Sequence, residues 1–98
     1  MRTALAYPPA PDSVAIDAAG RFLVAWSCCF GQPASQVFGR FFEPSGRPLA
    51  PSFQVSEETG VKDDLPSAAA GPAGRFLVVW RRTDAQGEEE LIGRYLEP

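Results

Sequence analysis

The apolar residues of this chain fall in short blocks divided by turn-forming residues, and the blocks carry the period of strands. Phe22, Val24 and Trp26 alternate with Leu23 and Ala25. Because successive strand side chains point to opposite faces, this segment is apolar on both sides. It is rich in aromatic and branched residues and too short for a helix, so it predicts a strand covered on both faces. Ser13 to Ile16 is another short apolar run, closed by the turn signal Asp17-Ala18-Ala19-Gly20. Residues 27–36 hold Gly31 and Pro33 and read as a loop, and Val37 to Phe42 reads as a third strand. Glu43-Pro44-Ser45-Gly46-Arg47-Pro48 predicts a second turn, and Phe53 to Ser56 alternates apolar and polar like a half-exposed edge strand.

Sliding the sequence over itself by 54 positions lays residues 11–44 on 65–98 without a gap. Gly20-Arg21-Phe22-Leu23-Val24-Ala25-Trp26 then falls on Gly74-Arg75-Phe76-Leu77-Val78-Val79-Trp80. Gly39-Arg40-Phe41-Phe42-Glu43-Pro44 falls on Gly93-Arg94-Tyr95-Leu96-Glu97-Pro98. A period of this length points to a solenoid, a propeller or an array. Each period supplies four strands, A to D. Strand A is built of small or medium residues, Ala68-Ala69-Ala70 in the second copy, which suits a crowded inner position. Four-stranded sheets packed face to face around an axis describe a β-propeller.

The opening Thr3-Ala4-Leu5-Ala6-Tyr7 precedes strand A much as Phe53-Gln54-Val55 precedes the second strand A, so it reads as a strand D. The expected order is D-ABCD-ABC. Residues 1–10 complete a blade, 11–64 form the first repeat, and 65–98 form a second repeat lacking its last strand. The expected fold is all-β, with two four-stranded antiparallel propeller-type blades. A monomer with its two sheets packed as a sandwich is the structural alternative.

Ser13 to Trp26, Val37 to Leu49, Phe53 to Ser56, Pro66 to Trp80 and Leu91 to Leu96 together resemble a bacterial tandem repeat of about fifty residues. It is of the Gly-x-Phe-x-Val-x-Trp and Gly-Arg-Phe type. The resemblance implies propeller blades within large proteins that are often secreted or surface-associated. It implies no activity, because one fold hosts many functions. The chain departs from the pattern at Gly71, which replaces the turn aspartate, and at Cys28-Cys29, which replaces a polar loop.

Composition narrows the function further. The 98 residues leave room for one small domain or for two or three copies of a short repeat. Apolar residues make up 45%, too many for a disordered chain. Ten prolines and nine glycines agree with many short elements joined by turns. A net charge of −3 and a pI near 4.8 lack the basic footprint of a nucleic-acid binder. There is no histidine, so a Ser-His or Cys-His dyad within the chain and any His-containing zinc site are excluded. No apolar run approaches the roughly eighteen residues of a membrane span. Met1 to Tyr7 is too brief for a signal peptide. The expected location is cytoplasmic for a whole chain, or extracellular or cell-surface for part of a longer exported protein.

Candidate site residues each have a structural and a functional account. Trp26 and Trp80 are expected to be core anchors rather than ligand-stacking rings. Gly39 and Gly93 are expected to make room for a facing aromatic ring. Arg40 and Arg94 lie mid-strand, where a charge needs a partner. An ion pair with Glu43, Glu97 or a neighbouring chain is expected, with a ring of anion-binding arginines as the alternative.

Asp63-Asp64, placed in the D–A connection, and Asp84 with Glu88-Glu89-Glu90, placed in the second B–C loop, are expected to be solvated. Calcium is the alternative there. Asp17 to Gly20 resembles the Asp-box of sialidase-type propellers, but the spacing differs. Cys28 and Cys29 are expected to act as two small apolar residues. A strained vicinal disulfide or a soft-metal site are the alternatives for them. No metal or cofactor is expected, and no phosphate loop or nucleophile elbow is present.

The expected function is a structural or binding module without a catalytic site. Two blades cannot cover their own outer faces, and those faces differ, so their pairing is heterologous. The expected partners are further copies in a ring of three or four chains, or the remaining blades of a longer chain. A protein or glycan ligand is compatible with this. The alternatives are a glycan-binding, lectin-like propeller and a carboxylate-dependent glycosidase of the sialidase type.

Overall fold

The computed structural model describes residues 13–28, 35–57 and 62–98. Its strands are β1 (Ser13–Ile16), β2 (Phe22–Cys28), β3 (Gln36–Phe42), β4 (Phe53–Gln54), β5 (Lys62–Ala70), β6 (Phe76–Thr83) and β7 (Glu89–Leu96). No α-helix occurs among the described residues; a 3-10 turn at Pro72–Gly74 joins β5 to β6. The fold is all-β. The expected strand at Thr3 to Tyr7 lies outside the described residues.

Three turns are closed by the same local chemistry. The Gly20 N–H donates to the Asp17 carbonyl at 3.0 Å, and the Asp17 N–H to the Arg21 carbonyl at 2.9 Å. Gly20 sits at φ 86°, left-handed backbone that glycine adopts without a Cβ clash. Glu43 to Arg47 and Asp84 to Glu88 repeat this pair of bonds, with Gly46 and Gly87 in the corresponding place. The residue pattern thus sets where β1, β3 and β6 reverse.

The strands form two antiparallel sheets, one ordered β1-β2-β3-β4 and the other β5-β6-β7. Pairing follows the 54-residue shift. Ser13 opposes Ala25 and Ser67 opposes Val79; Phe22 opposes Phe42 and Phe76 opposes Leu96. Two features differ from expectation. The fourth strand is confined to Phe53–Gln54 instead of running to Ser56. Asp63 and Asp64 are not in a connection but in β5, opposite Arg82 and Arg81. The Leu65-Pro66 bulge that separates them from Ser67 hides this strand from a period-two reading.

The main core lies between the sheets. Ala15, Leu23, Ala25, Val37, Phe41 and Val55 of the first sheet meet Phe76, Val78, Trp80 and Leu96 of the second. Phe41 packs edge-on against Phe76, with ring centroids 5.3 Å apart, and stacks on Phe53 at 5.7 Å. On the other side of the first sheet, Val24, Trp26 and Phe42 are also buried, with Phe22 and Phe38 packed around them. Both faces of β2 are therefore covered, as its composition requires.

Gly39 sits inside the main core. A Cβ there would stand 3.2 Å from Val55 Cγ2, 3.3 Å from Leu23 Cδ1 and 3.5 Å from Phe53 Cζ. At Gly93 the nearest atoms are Val79 Cγ2 at 3.6 Å and Leu77 Cδ1 at 3.7 Å, which is ordinary contact. Gly39→Ala is therefore expected to cost about 1–3 kcal/mol through overpacking, and Gly93→Ala about 0.5 kcal/mol or less. Urea unfolding of the two variants side by side checks the difference.

Candidate functional site

Each sheet carries two apolar faces. One holds Leu23 and Ala25 in the first copy and Leu77 and Val79 in the second; we call it the leucine face. The other holds Phe22, Val24 and Trp26, or Phe76, Val78 and Trp80, and is the tryptophan face. The leucine face of the first sheet packs on the tryptophan face of the second. The stacking is head to tail, with unlike faces in contact.

This leaves the leucine face of the second sheet outside the core. Its members correspond under the 54-residue shift to buried residues of the first sheet. Ala15 is buried and Ala69 exposed; Leu23 and Ala25 are wholly buried, whereas Leu77 and Val79 are half-buried. Phe41 is buried, while Tyr95 is 61% exposed; Val37 is buried, while Leu91 is 77% exposed. An apolar surface of this kind, flanked by charged residues, marks an interaction site. On the opposite flank, β1 exposes Val14 and Ile16 on the tryptophan face.

One hydrogen bond ties the sheets together beside this contact: the Ala68 N–H donates to Ser13 Oγ at 2.9 Å. A second tie joins the start of β5 to Ser35, whose hydroxyl donates to the Asp63 carbonyl at 2.9 Å and whose carbonyl accepts from the Asp63 N–H at 3.1 Å. Sequence reasoning missed both, since each joins residues remote in sequence.

The charged residues of β5 and β6 form two cross-strand pairs on opposite faces. Arg82 Nε donates to Asp63 at 2.9 Å and Nη2 to the other carboxylate oxygen at 3.3 Å; Asp63 is wholly buried. Arg81 holds Asp64 with two bonds of 2.9 Å and reaches Glu89 at 3.5 Å. Hydrogen bonding to Asp64 raises the Arg81 pKa above its ordinary value. Such forked pairs leave few carboxylate lone pairs for a cation. The signal available in the sequence was an Asp-Asp pair and an Arg-Arg pair flanking one predicted hairpin.

The turn aspartates have backbone roles. Asp17 Oδ1 accepts from the N–H groups of Ala19 and Arg21, and its other oxygen from Arg21 Nε at 3.0 Å. Desolvation works to raise the Asp17 pKa, but these bonds and the Arg21 charge outweigh it and hold the carboxyl below its ordinary value. Asp84 Oδ1 accepts from Gln86 and Glu88 in the same manner. It is thus a turn residue and not merely a solvated charge. No group of three or more metal-ligating side chains is found among the described residues.

Within the chain, Arg40 and Arg94 do not pair with Glu43 and Glu97. Arg40 Nε donates to the Ala50 carbonyl at 2.9 Å, and its guanidinium lies 5.8 Å from the Phe42 ring centre. Arg94 donates to the Val55 carbonyl at 2.8 Å and pairs with Glu57 at 3.2 Å. Glu97 instead approaches Arg75, at 3.9 Å. Arg40 thus reaches the segment that leads into β4 of its own sheet, whereas Arg94 reaches across to the first sheet, at the residues that follow β4. Arg94 also lines a cavity of about 360 Å³ with Val55, Glu57, Trp80, Arg82, Ile92 and Gly93.

Trp26 and Trp80 are both buried, and Trp80 Nε1 has no hydrogen-bond partner among the described residues. Gly39 faces the Phe53 ring; the nearest neighbours of Gly93 are aliphatic. Cys28 is half-buried at the end of β2. The sequence's other cysteine, Cys29, lies outside the described residues.

Comparisons with protein-family models, curated proteins and solved structures find no match to this chain. Among the described residues no helix is long and apolar enough to cross a membrane.

Proposed function

We propose that the chain is a structural or binding module without catalytic machinery, a partial propeller of two blades that assembles with further copies into a ring. The observation that carries this reading is the head-to-tail stacking of the sheets. A contact between unlike faces can be repeated, and each repetition leaves one unlike face at either end. Repeat folds bury their faces only by adding neighbours, and three or more units are the usual minimum. The four described aspartates support a non-catalytic role, because Asp17, Asp63, Asp64 and Asp84 are all bound to arginines or turn amides.

Native mass spectrometry of the purified chain tests the assembly. A discrete trimer or tetramer of the 10.6 kDa chain is expected; a compact monomer at micromolar concentration overturns it. The cavity lined by Trp80 and Arg94 favours a second, lectin-like reading, since a guanidinium suits hydroxyl or carboxylate oxygens. A glycan screen read by tryptophan fluorescence separates such a binder from an inert scaffold.

A further inference from the structure

We propose that the exposed leucine face of the second sheet is the docking site for β1 and the adjoining tryptophan face of a second copy of this chain. The contact reuses the β5 and Phe76 portion of the one that already joins the two sheets within a single chain. This inference rests on the assembly reading above and names the surfaces that carry it.

Part of the internal contact has an open counterpart outside. Within the chain, Phe41 on the leucine face packs edge-on against Phe76, and Ala68 of β5 packs against the same core. Shifted by 54 positions, Phe41 becomes Tyr95 and Ala15 becomes Ala69, both exposed, while Phe76 becomes Phe22 and Ala68 becomes Val14. Phe22 is half-buried and Val14 is 54% exposed. The counterparts that would meet are therefore open on both flanks. Val24, Trp26 and Phe42, the counterparts of Val78, Trp80 and Leu96, are already buried, so the external contact is confined to β1 and Phe22 and is smaller than the internal one.

The polar latch is duplicated too. Ser13 Oγ accepts from the Ala68 N–H inside the chain; the same shift maps this onto Ser67 Oγ and the Val14 N–H of the second copy. Ser67 is exposed. Gly93 keeps the docking face shallow, as Gly39 does beneath Phe53 and Val55. An incoming Phe22 would meet Tyr95 in the edge-on arrangement that Phe76 makes with Phe41.

The test uses two variants, each blocking one flank: Tyr95→Glu on the docking face and Val14→Glu on the β1 flank. Both positions are more than half exposed. Each variant alone is expected to run as a 10.6 kDa monomer by light scattering, and an equimolar mixture as a species of twice that mass. The doubled mass arises because one Tyr95 face and one Val14 flank stay intact between the two partners.

A wild-type chain that is itself monomeric overturns both the assembly reading and this inference. An assembled wild type whose Tyr95→Glu variant remains assembled overturns the docking site alone. So does a pair of monomeric variants that fail to combine. Hydrogen exchange on the unmodified chain gives an independent measure. The Val14 amide is expected to exchange at least tenfold more slowly at assembling concentrations than in the dilute, dissociated chain, and an unchanged rate overturns the proposal.

Discussion

Replacing Arg82 by alanine is expected to remove about 3–5 kcal/mol of folding stability, because it leaves a buried carboxylate without its counter-charge. Asp63 is fully buried, and both its carboxylate oxygens are held by the Arg82 guanidinium. Its backbone is fixed on Ser35 through both the carbonyl and the N–H. The carboxylate therefore cannot reach water without breaking the tie between β5 and the start of β3. With a marginal stability of about 5–15 kcal/mol for an ordinary domain, such a loss takes a large share.

Chemical denaturation followed by circular dichroism measures it. The double variant Asp63→Leu/Arg82→Leu separates the charge effect from the loss of packing. Removing both partners is expected to recover more than half of the loss, since no buried charge then remains. A double variant as unstable as Arg82→Ala would mean that packing and not charge dominates.

Phe76→Ala is expected to be of similar size, about 3–5 kcal/mol, by the loss of a large buried ring and the cavity left behind. Phe76 is completely buried, stands at the start of β6 and packs edge-on against Phe41. Since Phe41 also stacks on Phe53, the cavity opens where three aromatic side chains from β3, β4 and β6 converge. Tyr95→Ala is the matched control. It removes a ring at an exposed position of the same sheet, and is expected to change monomer stability by about 0.5 kcal/mol. Equal losses in the two variants, measured by urea titration of monomeric protein, would contradict the separation of the two faces.

These two predictions mark the boundary of what could be read along the chain. The aromatic content and alternation of Phe22 to Trp26 and of Phe76 to Trp80 state that these are strands with two apolar faces. The Asp-Ala-Ala-Gly and Glu-Pro-Ser-Gly segments state where two of the turns come, because the glycine in each needs a backbone geometry that other residues resist. Both are local properties. The Asp63–Arg82 pair was not legible, because the Leu65-Pro66 bulge breaks the alternation that would have marked β5. The partners of Arg40 and Arg94 were misassigned for a related reason. Nearness in sequence favoured Glu43 and Glu97, whereas Arg40 meets the Ala50 carbonyl ahead of β4 and Arg94 meets Val55 and Glu57 of the facing sheet.

By itself, then, the sequence determined most of the strands (the bulged start of β5 and the short extent of β4 excepted), two of the principal turns, the 54-residue correspondence and the pairing register that follows from it. All of these depend on residue type and on spacing within a few tens of positions. Only the tertiary structure decided which apolar face of each sheet is enclosed. The leucine and tryptophan faces are both greasy enough to be buried, and alternation along a strand holds no information about where a distant segment will lie. Packing enclosed both faces of the first sheet but only the tryptophan face of the second, and so left Leu77, Val79 and Tyr95 toward the outside.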